Sequence, residues 1–363
     1  MRLRELFRLR ETRLAGMRTG IPTYVPPLLT IRGFKIIVYD TTQEKVGELG
    51  ADIKNGRLSE VEFEFSDFGC GAFSFTLDSL PSFPISYRTR IDIHPYFDDT
   101  PWFSGFVQTI PKAGQKPPYR YTGFGFFEQL DWVLATGSYQ AIETNLIVQD
   151  IMETFVAAPK TQIIYNAVKI GESEYSAQDI NFDHVPVKDA MQQLAVIAEG
   201  YEFGVDNLRE FYFRAISTDI AYHFWQGKQF QNIEIEEDPS MVRNKLYIKS
   251  GKLQTDGTNI IGEVHDDPSI NAYGLREEII TAPDVLDDAD ALQWGGEILL
   301  DKQDPVIRAT IADVLFDTTK AKIEASGKMR VTIYDGTEYE LFIKQVSYSI
   351  TAAGIVAQID LES

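Results

Sequence analysis

The sequence contains a single cysteine, Cys70, among 363 residues. One cysteine excludes an internal disulfide bond and a cysteine-based metal cluster, and it fits a chain made and folded in a cytoplasm. No apolar run approaches the length that crosses a bilayer, so stable membrane insertion is not expected. The N-terminus is basic but lacks the apolar stretch of a signal peptide.

Sequence motifs that carry catalysis are also missing. The four histidines lie in different segments, and none has the spacing of a zinc-binding helix. No serine has the Gly-x-Ser-x-Gly setting of a hydrolase nucleophile. The glycine-rich stretch at 123–125 lacks the lysine and the following helix that cradle a phosphate. We therefore expect no enzyme, no cofactor and no dedicated metal site.

Acidic pairs are the remaining candidates for chemistry. A glycosidase needs two carboxylates about 5–9.5 Å apart across a cleft, a distance that sequence does not give. Several pairs, such as Asp98-Asp99, lie beside proline, as solvated turns do. The pair Asp266-Asp267 and the group Asp287, Asp288 and Asp290 are candidates for a weak surface cation only, because the calcium-loop pattern is absent.

Charge is distributed unevenly along the chain. The formal net charge is −20, yet residues 1–20 hold six arginines and two glutamates, a net of +4. The rest of the chain therefore carries −24. A strongly acidic body argues against holding DNA by its phosphates. Solubility is the simplest interpretation of this charge.

The N-terminal 29 residues are interpreted as an arginine-rich arm followed by a proline-rich linker. Four apolar residues of the arm fall on one helical stripe, with an arginine in the gap. Two turns of such a seam are too few to be stable alone, so the arm is either a frayed leader or a helix that orders against a partner. The candidate partner-binding residues are Leu3, Phe7, Arg10, Leu14 and Met17.

Residues 30–135 show short segments of alternating hydrophobicity, which is typical of strands. Their regular spacing favours a barrel or a sandwich. The predicted strands are Phe34–Tyr39 and residues 61–65, 72–77, 90–94, 102–107 and 119–124. A short helical turn is expected at 128–134. A strand near 230–237 is a candidate to return to this domain.

Residues 136–215 change character and predict a small α+β domain. Helical periodicity at 145–156 and 187–199 predicts two helices, and Gly200 stands where a helix stop is expected. A hairpin follows at 201–214, around Asp206-Asn207. Residues 216–363 then predict a second β domain, with an acidic helix at about 285–302 and three short strands after it.

The order of these elements resembles the phage tail hub family, which also includes the hub part of type VI secretion spikes. The helix and aromatic strand pair at 194–214 match that family, and so do the acidic strand at 233–237 and the strand at 244–248. Tyr273-Gly274-Leu275-Arg276, predicted to begin a strand, and the Asp-x-Ala helix at 287–292 follow in the family's order. Near the N-terminus, residues 102–107 and 123–130 match two further segments.

The resemblance implies a mainly β chain with two related β-barrel domains and an inserted α+β domain. Three copies would then set six barrels in a ring, between a hexameric tail tube or distal tail ring and a trimeric tip, spike or fibre. It also implies a channel through which the tape measure protein and then DNA leave, without specific DNA binding. The acidic body would suit such a channel, because carboxylates repel a polyanion.

Two other classes of tail protein stay open. One is a cell-wall-degrading enzyme, and the other is a carbohydrate-binding module whose aromatic rings stack on sugars. Aromatic residues that alternate along strands usually belong to a core, which weighs against the second class. The candidates for sugar stacking are Tyr96, Phe97, Trp102, Phe103 and Trp132.

Overall fold

The computed structural model describes residues 30–112, 114–157, 159–173, 175–251, 260–314 and 322–363. The candidate arm residues Leu3, Phe7, Arg10, Leu14 and Met17 lie outside this part. The fold is mainly β with a smaller α+β part, as the sequence predicted. Among the described helices, none combines the length and the apolar character that a bilayer span requires.

In the described part of the chain, eight strands precede the first α-helix, and four strands follow the last one. In chain order the strands are β1 (Phe34–Tyr39), β2 (Lys45–Gly50), β3 (Leu58–Ser66), β4 (Gly69–Leu77), β5 (Arg90–Pro95), β6 (Phe103–Thr109), β7 (Tyr119–Gly125), β8 (Leu134–Glu143), β9 (Ser176–Pro186), β10 (Tyr201–Val205), β11 (Phe211–Ala215), β12 (Ile220–Trp225), β13 (Ile233–Asp238), β14 (Lys245–Ser250), β15 (Ile260–His265), β16 (Glu277–Ala282), β17 (Val306–Ile311), β18 (Lys328–Thr332), β19 (Glu338–Ile350) and β20 (Ile355–Glu362). The α-helices are α1 (Thr144–Ile151), α2 (Val187–Ile197), α3 (Asp267–Tyr273) and α4 (Asp288–Lys302).

Several elements that the sequence predicted begin or end at different residues in the structure. The helix predicted at 145–156 is α1 up to Ile151 and a π-helical turn from there to Val156. The acidic helix begins at Asp288, because the side chain of Asp287 accepts a hydrogen bond from the Ala289 amide and caps it. The short turn predicted at 128–134 is a 3-10 helix, Phe126–Trp132.

One prediction in the last third was wrong, and another is shifted by a few residues. Residues 273–276, expected at the entry of a strand, form the end of α3 and an irregular stretch directly before β16. Gly274 has a φ of 78°, which ends the helix, and β16 begins only at Glu277. Four strands follow α4 rather than three, and β19 is long, with 13 residues.

One large sheet organises the described part of the chain and holds 15 strands. Its main path runs in the order β13, β17, β20, β19, β3, β4, β7, β6, β5, β1, β2, with β10, β11, β12 and β18 attached beside it. The pairing of β3 with β19 joins the first and last parts of the chain in this sheet. The domain division at 135 and 215 and the two related barrels stay predictions.

Two hydrophobic cores lie on the sheet and share β6. The first core is formed by the inward faces of β1–β5 and β17–β20, and it includes Phe103 and Val107 of β6. Phe106 of β6 belongs to the second core. This second core contains α1, α2, α4 and the small sheet of β14, β15 and β16. Successive side chains of β6 point to opposite faces, so this one strand packs into both cores and connects the α+β part to the large sheet.

Tyr348 anchors the junction of β19 with β3. Its ring stacks on Phe63 at a centroid distance of 5.1 Å, and the side chain is 1% exposed. Its hydroxyl accepts a hydrogen bond from the Ile323 amide at 2.8 Å and donates one to the Ile323 carbonyl at 3.1 Å. The ring packs the sheet, and the hydroxyl fixes the segment that precedes β18.

We expect Tyr348→Phe to lower the free energy of unfolding by about 1–3 kcal/mol, because it leaves buried backbone groups of Ile323 without their partner while the ring still packs. Chemical denaturation measures this loss. Tyr334→Phe is the matched control, since Tyr334 is 71% exposed and should change stability little. Equal stability of the Tyr348→Phe variant and the wild type would contradict this role.

Candidate assembly surface

The outward face of the large sheet is polar across six neighbouring strands, β17, β20, β19, β3, β4 and β7. We call these outward side chains the polar face. Hydrogen bonds join it from strand to strand. Thr310 donates to Asp360 at 2.8 Å, Gln345 to Glu64 at 2.7 Å, and Thr76 to Glu60 at 3.3 Å. The inward side chains of the same strands fill the first core, so the alternation of each strand produces both surfaces.

Glu62 is the centre of this face. Its carboxylate accepts hydrogen bonds from Ser74 at 2.8 Å and from Arg120 at 2.9 Å, and Arg120 also donates to Ser74 at 3.0 Å. These residues line a groove of about 460 Å³. The side chains of Glu62 and Arg120 are 41% and 58% exposed, so the ion pair adds little stability. The cluster therefore sets the charge and shape of a solvated surface.

Carboxylates outnumber cations along the hydrogen-bonded ladder of the polar face. Its acidic members are Glu60, Glu62, Glu64, Asp360 and Glu362, and its basic members are Arg120 and Arg308. The two arginines are each paired with one of these glutamates. The uncompensated carboxylates leave the surface acidic and rich in hydroxyl groups, a composition that binds water and repels polyanions.

The histidines lie on separate elements. His94 is buried on β5, where desolvation lowers its pKa. His184 contacts the neighbouring Asp183 at the surface, His223 contacts Thr332, and His265 lies 3.7 Å from Asp267. In the part of the chain that the structure describes, no group of three His, Cys, Asp or Glu side chains is arranged to hold a metal ion.

Several carboxylates of the acidic pairs accept hydrogen bonds from backbone amides in turns and at the first residues of helices. Asp98 accepts a hydrogen bond from the Thr100 amide, Asp266 caps α3 and Asp287 caps α4. Asp290 is buried and accepts the amides of Gln178 and Asp179 from β9, and its burial raises its pKa. Among the candidates for a weak cation site, Asp266, Asp287 and Asp290 therefore have structural partners.

Cys70 is buried at the start of β4, where desolvation raises the pKa of its thiol to about 12. A thiol in this setting stays protonated at neutral pH and is a poor nucleophile.

A buried polar contact fixes the α+β part on the sheet. The hydroxyl of Ser104 lies 2.8 Å from a carboxylate oxygen of Asp92 and 2.6 Å from the Asn207 carbonyl at the tip of the β10–β11 hairpin. Arg90 pairs with Asp92 at 2.5 Å and stacks over Tyr39. Sequence reasoning located the Asp206-Asn207 turn but missed this contact, because its partners are far apart in the chain.

The aromatic candidates for sugar stacking divide into buried and exposed residues. Trp102 and Phe103 are buried in the first core. Tyr96 and Phe97, in the connection between β5 and β6, are 53% and 58% exposed, and Trp132 is 46% exposed. Arg88 covers the Trp132 ring at 5.7 Å.

Comparison with known proteins finds similarity in structure. No protein-family model and no curated protein matches the sequence. A 43 kDa tail protein of prophage MuSo2 from Shewanella oneidensis is similar at TM-score 0.62 and 15% identity, over 90% of this chain and 98% of its own. The tail protein of Neisseria meningitidis MC58 is similar at TM-score 0.65 and 10% identity, over 91% and 97%.

Prophage tail protein gp18 from Listeria monocytogenes is also similar, at TM-score 0.58 and 14% identity, over 91% of this chain and 94% of its own. Each likeness extends over nearly the whole of both chains, so it concerns the complete arrangement of strands and helices. The chain therefore has the fold of phage tail proteins, and the resemblance inferred from the order of its elements is confirmed at the level of fold.

Proposed function

We propose that this chain is a structural virion protein that forms a trimeric tail hub. The observation that carries the proposal is the likeness to three phage tail proteins over at least 90% of the chain. In this role the hub joins a hexameric tail tube or distal tail ring to a trimeric tip, spike or fibre. It would be assembled in the host cytoplasm and carried at the tail tip or baseplate of the virion.

The symmetry argument rests on two related β-barrel modules, proposed at residues 30–135 and 216–363, with 136–215 inserted between them. Three copies of a chain with two similar modules present six similar units, which can match a six-fold partner on one side. The same three copies accept a three-fold partner on the other side. No chemical reaction is needed for this function.

The polar face is the proposed surface of the channel through which the tape measure protein and DNA pass. Its carboxylates and hydroxyls hold water and repel phosphates, so a polyanion would slide past without specific binding. Basic patches that grip nucleic acid have the opposite charge.

Native mass spectrometry of the purified chain, alone and with the tube protein of the same tail, tests the hub. We expect three copies per complex and no release of fragments from cell-wall glycans. A chain that stays monomeric in both samples, or one that hydrolyses the glycans, would refute a trimeric structural hub.

Neutralising the channel surface tests the role of charge. We expect Glu60→Gln, Glu62→Gln and Glu64→Gln together to slow DNA ejection from assembled particles, because repulsion of the polyanion is weakened. Ejection is measured by dye fluorescence after triggering. The matched control carries Glu172→Gln, Asp219→Asn and Asp304→Asn, an equal change of charge on exposed residues elsewhere. Equal ejection rates in both variants would argue against a repulsive channel.

We further propose that residues 1–20 bind a partner, the tape measure protein or a neighbouring tail protein, through Leu3, Phe7, Leu14 and Met17 with Arg10 between them. Deleting residues 1–20 should leave the oligomer of the purified chain intact and abolish tail assembly in a complementation assay. Arg10→Ala alone is the milder variant. Normal tail assembly by the chain that lacks residues 1–20 would contradict the proposed role of the arm.

A further inference from the structure

A cavity of about 510 Å³ lies beside the turn between β1 and β2, at one end of the large sheet. Gln43 comes from that turn, Tyr87 and Arg88 come from the segment before β5, and Arg209 comes from the turn of the β10–β11 hairpin. Ile164 adds an apolar wall, and Tyr87 is 63% exposed at the cavity. The cavity thus combines arginines with exposed apolar surface.

The backbone around this cavity has an unusual conformation. Gln43, Arg88 and Arg209 have φ angles of 68°, 63° and 68°. Residues with side chains rarely adopt positive φ, and such conformations concentrate where a site requires a particular geometry. All three residues line the same cavity, and their backbone conformation has some cost in energy.

The positive charge at the cavity lacks a carboxylate partner. Within the described residues, neither Arg88 nor Arg209 forms an ion pair, and no Asp or Glu lines the cavity. Arg209 donates to Gln43 at 2.8 Å and to the Gln162 carbonyl at 3.2 Å, and its Nε and the amide nitrogen of Gln43 are buried without an acceptor. Burial, and then the charge of Arg90, lower the pKa of Arg209. An anion at this cavity would stabilise the arginine.

The other end of the sheet path carries the opposite charge. In the described chain β13 pairs only with β17, so one edge of β13 is open. Glu234, Glu236 and Glu237 are exposed along it, and Ile235 is 37% exposed between them. An open edge strand is a template for association with another chain, and charged side chains limit its partners to complementary ones.

We propose that the acidic edge strand β13 of one copy docks at the arginine cavity of the next copy. This inference rests on the proposed ring of three copies. The two surfaces are different patches at opposite ends of one sheet, as a head-to-tail contact that closes into a ring requires. Glu234 and Glu236, which lie on one face of β13, would supply the missing carboxylates to Arg88 and Arg209.

A charge exchange in the same chain tests the contact. We expect Arg88→Glu alone, and Glu234→Lys with Glu236→Lys, each to weaken the trimer by about tenfold or more in dissociation constant. Combining all three changes should restore part of the association, since the contact at position 88 then has its charges exchanged while Arg209 is unchanged. Lys54→Glu and Glu172→Lys, on exposed residues outside both surfaces, are the matched controls and should leave the trimer unchanged.

Crosslinking provides a second measurement that does not depend on charge. A chain with Arg88→Cys and Glu236→Cys, treated with a short bismaleimide, should give covalently closed trimers. Cys70 does not interfere, because it is buried. A chain with Lys54→Cys and Glu236→Cys should stay uncrosslinked.

The outcomes separate this inference from the hub itself. A wild-type trimer that neither the charge variants weaken nor the cysteines crosslink would overturn the docking of β13 and leave the hub standing. The charges on β13 would then only protect an edge strand. A wild-type chain that stays monomeric, alone and with its tube partner, would overturn both proposals.

Discussion

The pairing of β3 with β19 is the constraint on which the rest of the structure depends. It joins strands nearly 300 residues apart, and Tyr348 packs on Phe63 across it. Without this pairing the large sheet would be two separate sheets, each with another open edge. Because the pairing exists, the first core is closed from both parts of the chain and the polar face is continuous from β17 to β7.

The large sheet therefore provides one side of the first core and three different surfaces, which are its outward face and its two ends. Inward side chains form the first core, and outward side chains form an acidic, hydroxyl-rich face. The two ends of the path carry different groups, with glutamates on β13 and arginines beside the β1–β2 turn. These surfaces suit the proposed role in assembly, which requires no reaction centre. In the described chain, carboxylates that could suggest chemistry cap helices and turns instead.

Local patterns predicted the elements whose signals lie within a few residues. Strand β1 and the β10–β11 hairpin were predicted from alternation and from the Asp206-Asn207 turn. Strands β8 and β9 were missed, because they are rich in polar residues and pair with each other across a long gap in sequence. The contact of Ser104 with Asp92 and Asn207 was missed for the same reason. It depends on partners 12 and 103 residues away, which no local pattern can indicate.

In the proposed hub, three copies of this chain surround a channel lined by the polar face. A cryo-electron microscopy map of the purified tail that contains the chain tests this most directly. We expect three-fold symmetry at this protein, a six-fold neighbour on one side, and Glu60, Glu62 and Glu64 facing the central axis. A map with a single copy at the periphery, or with the polar face turned outward to solvent, would contradict it.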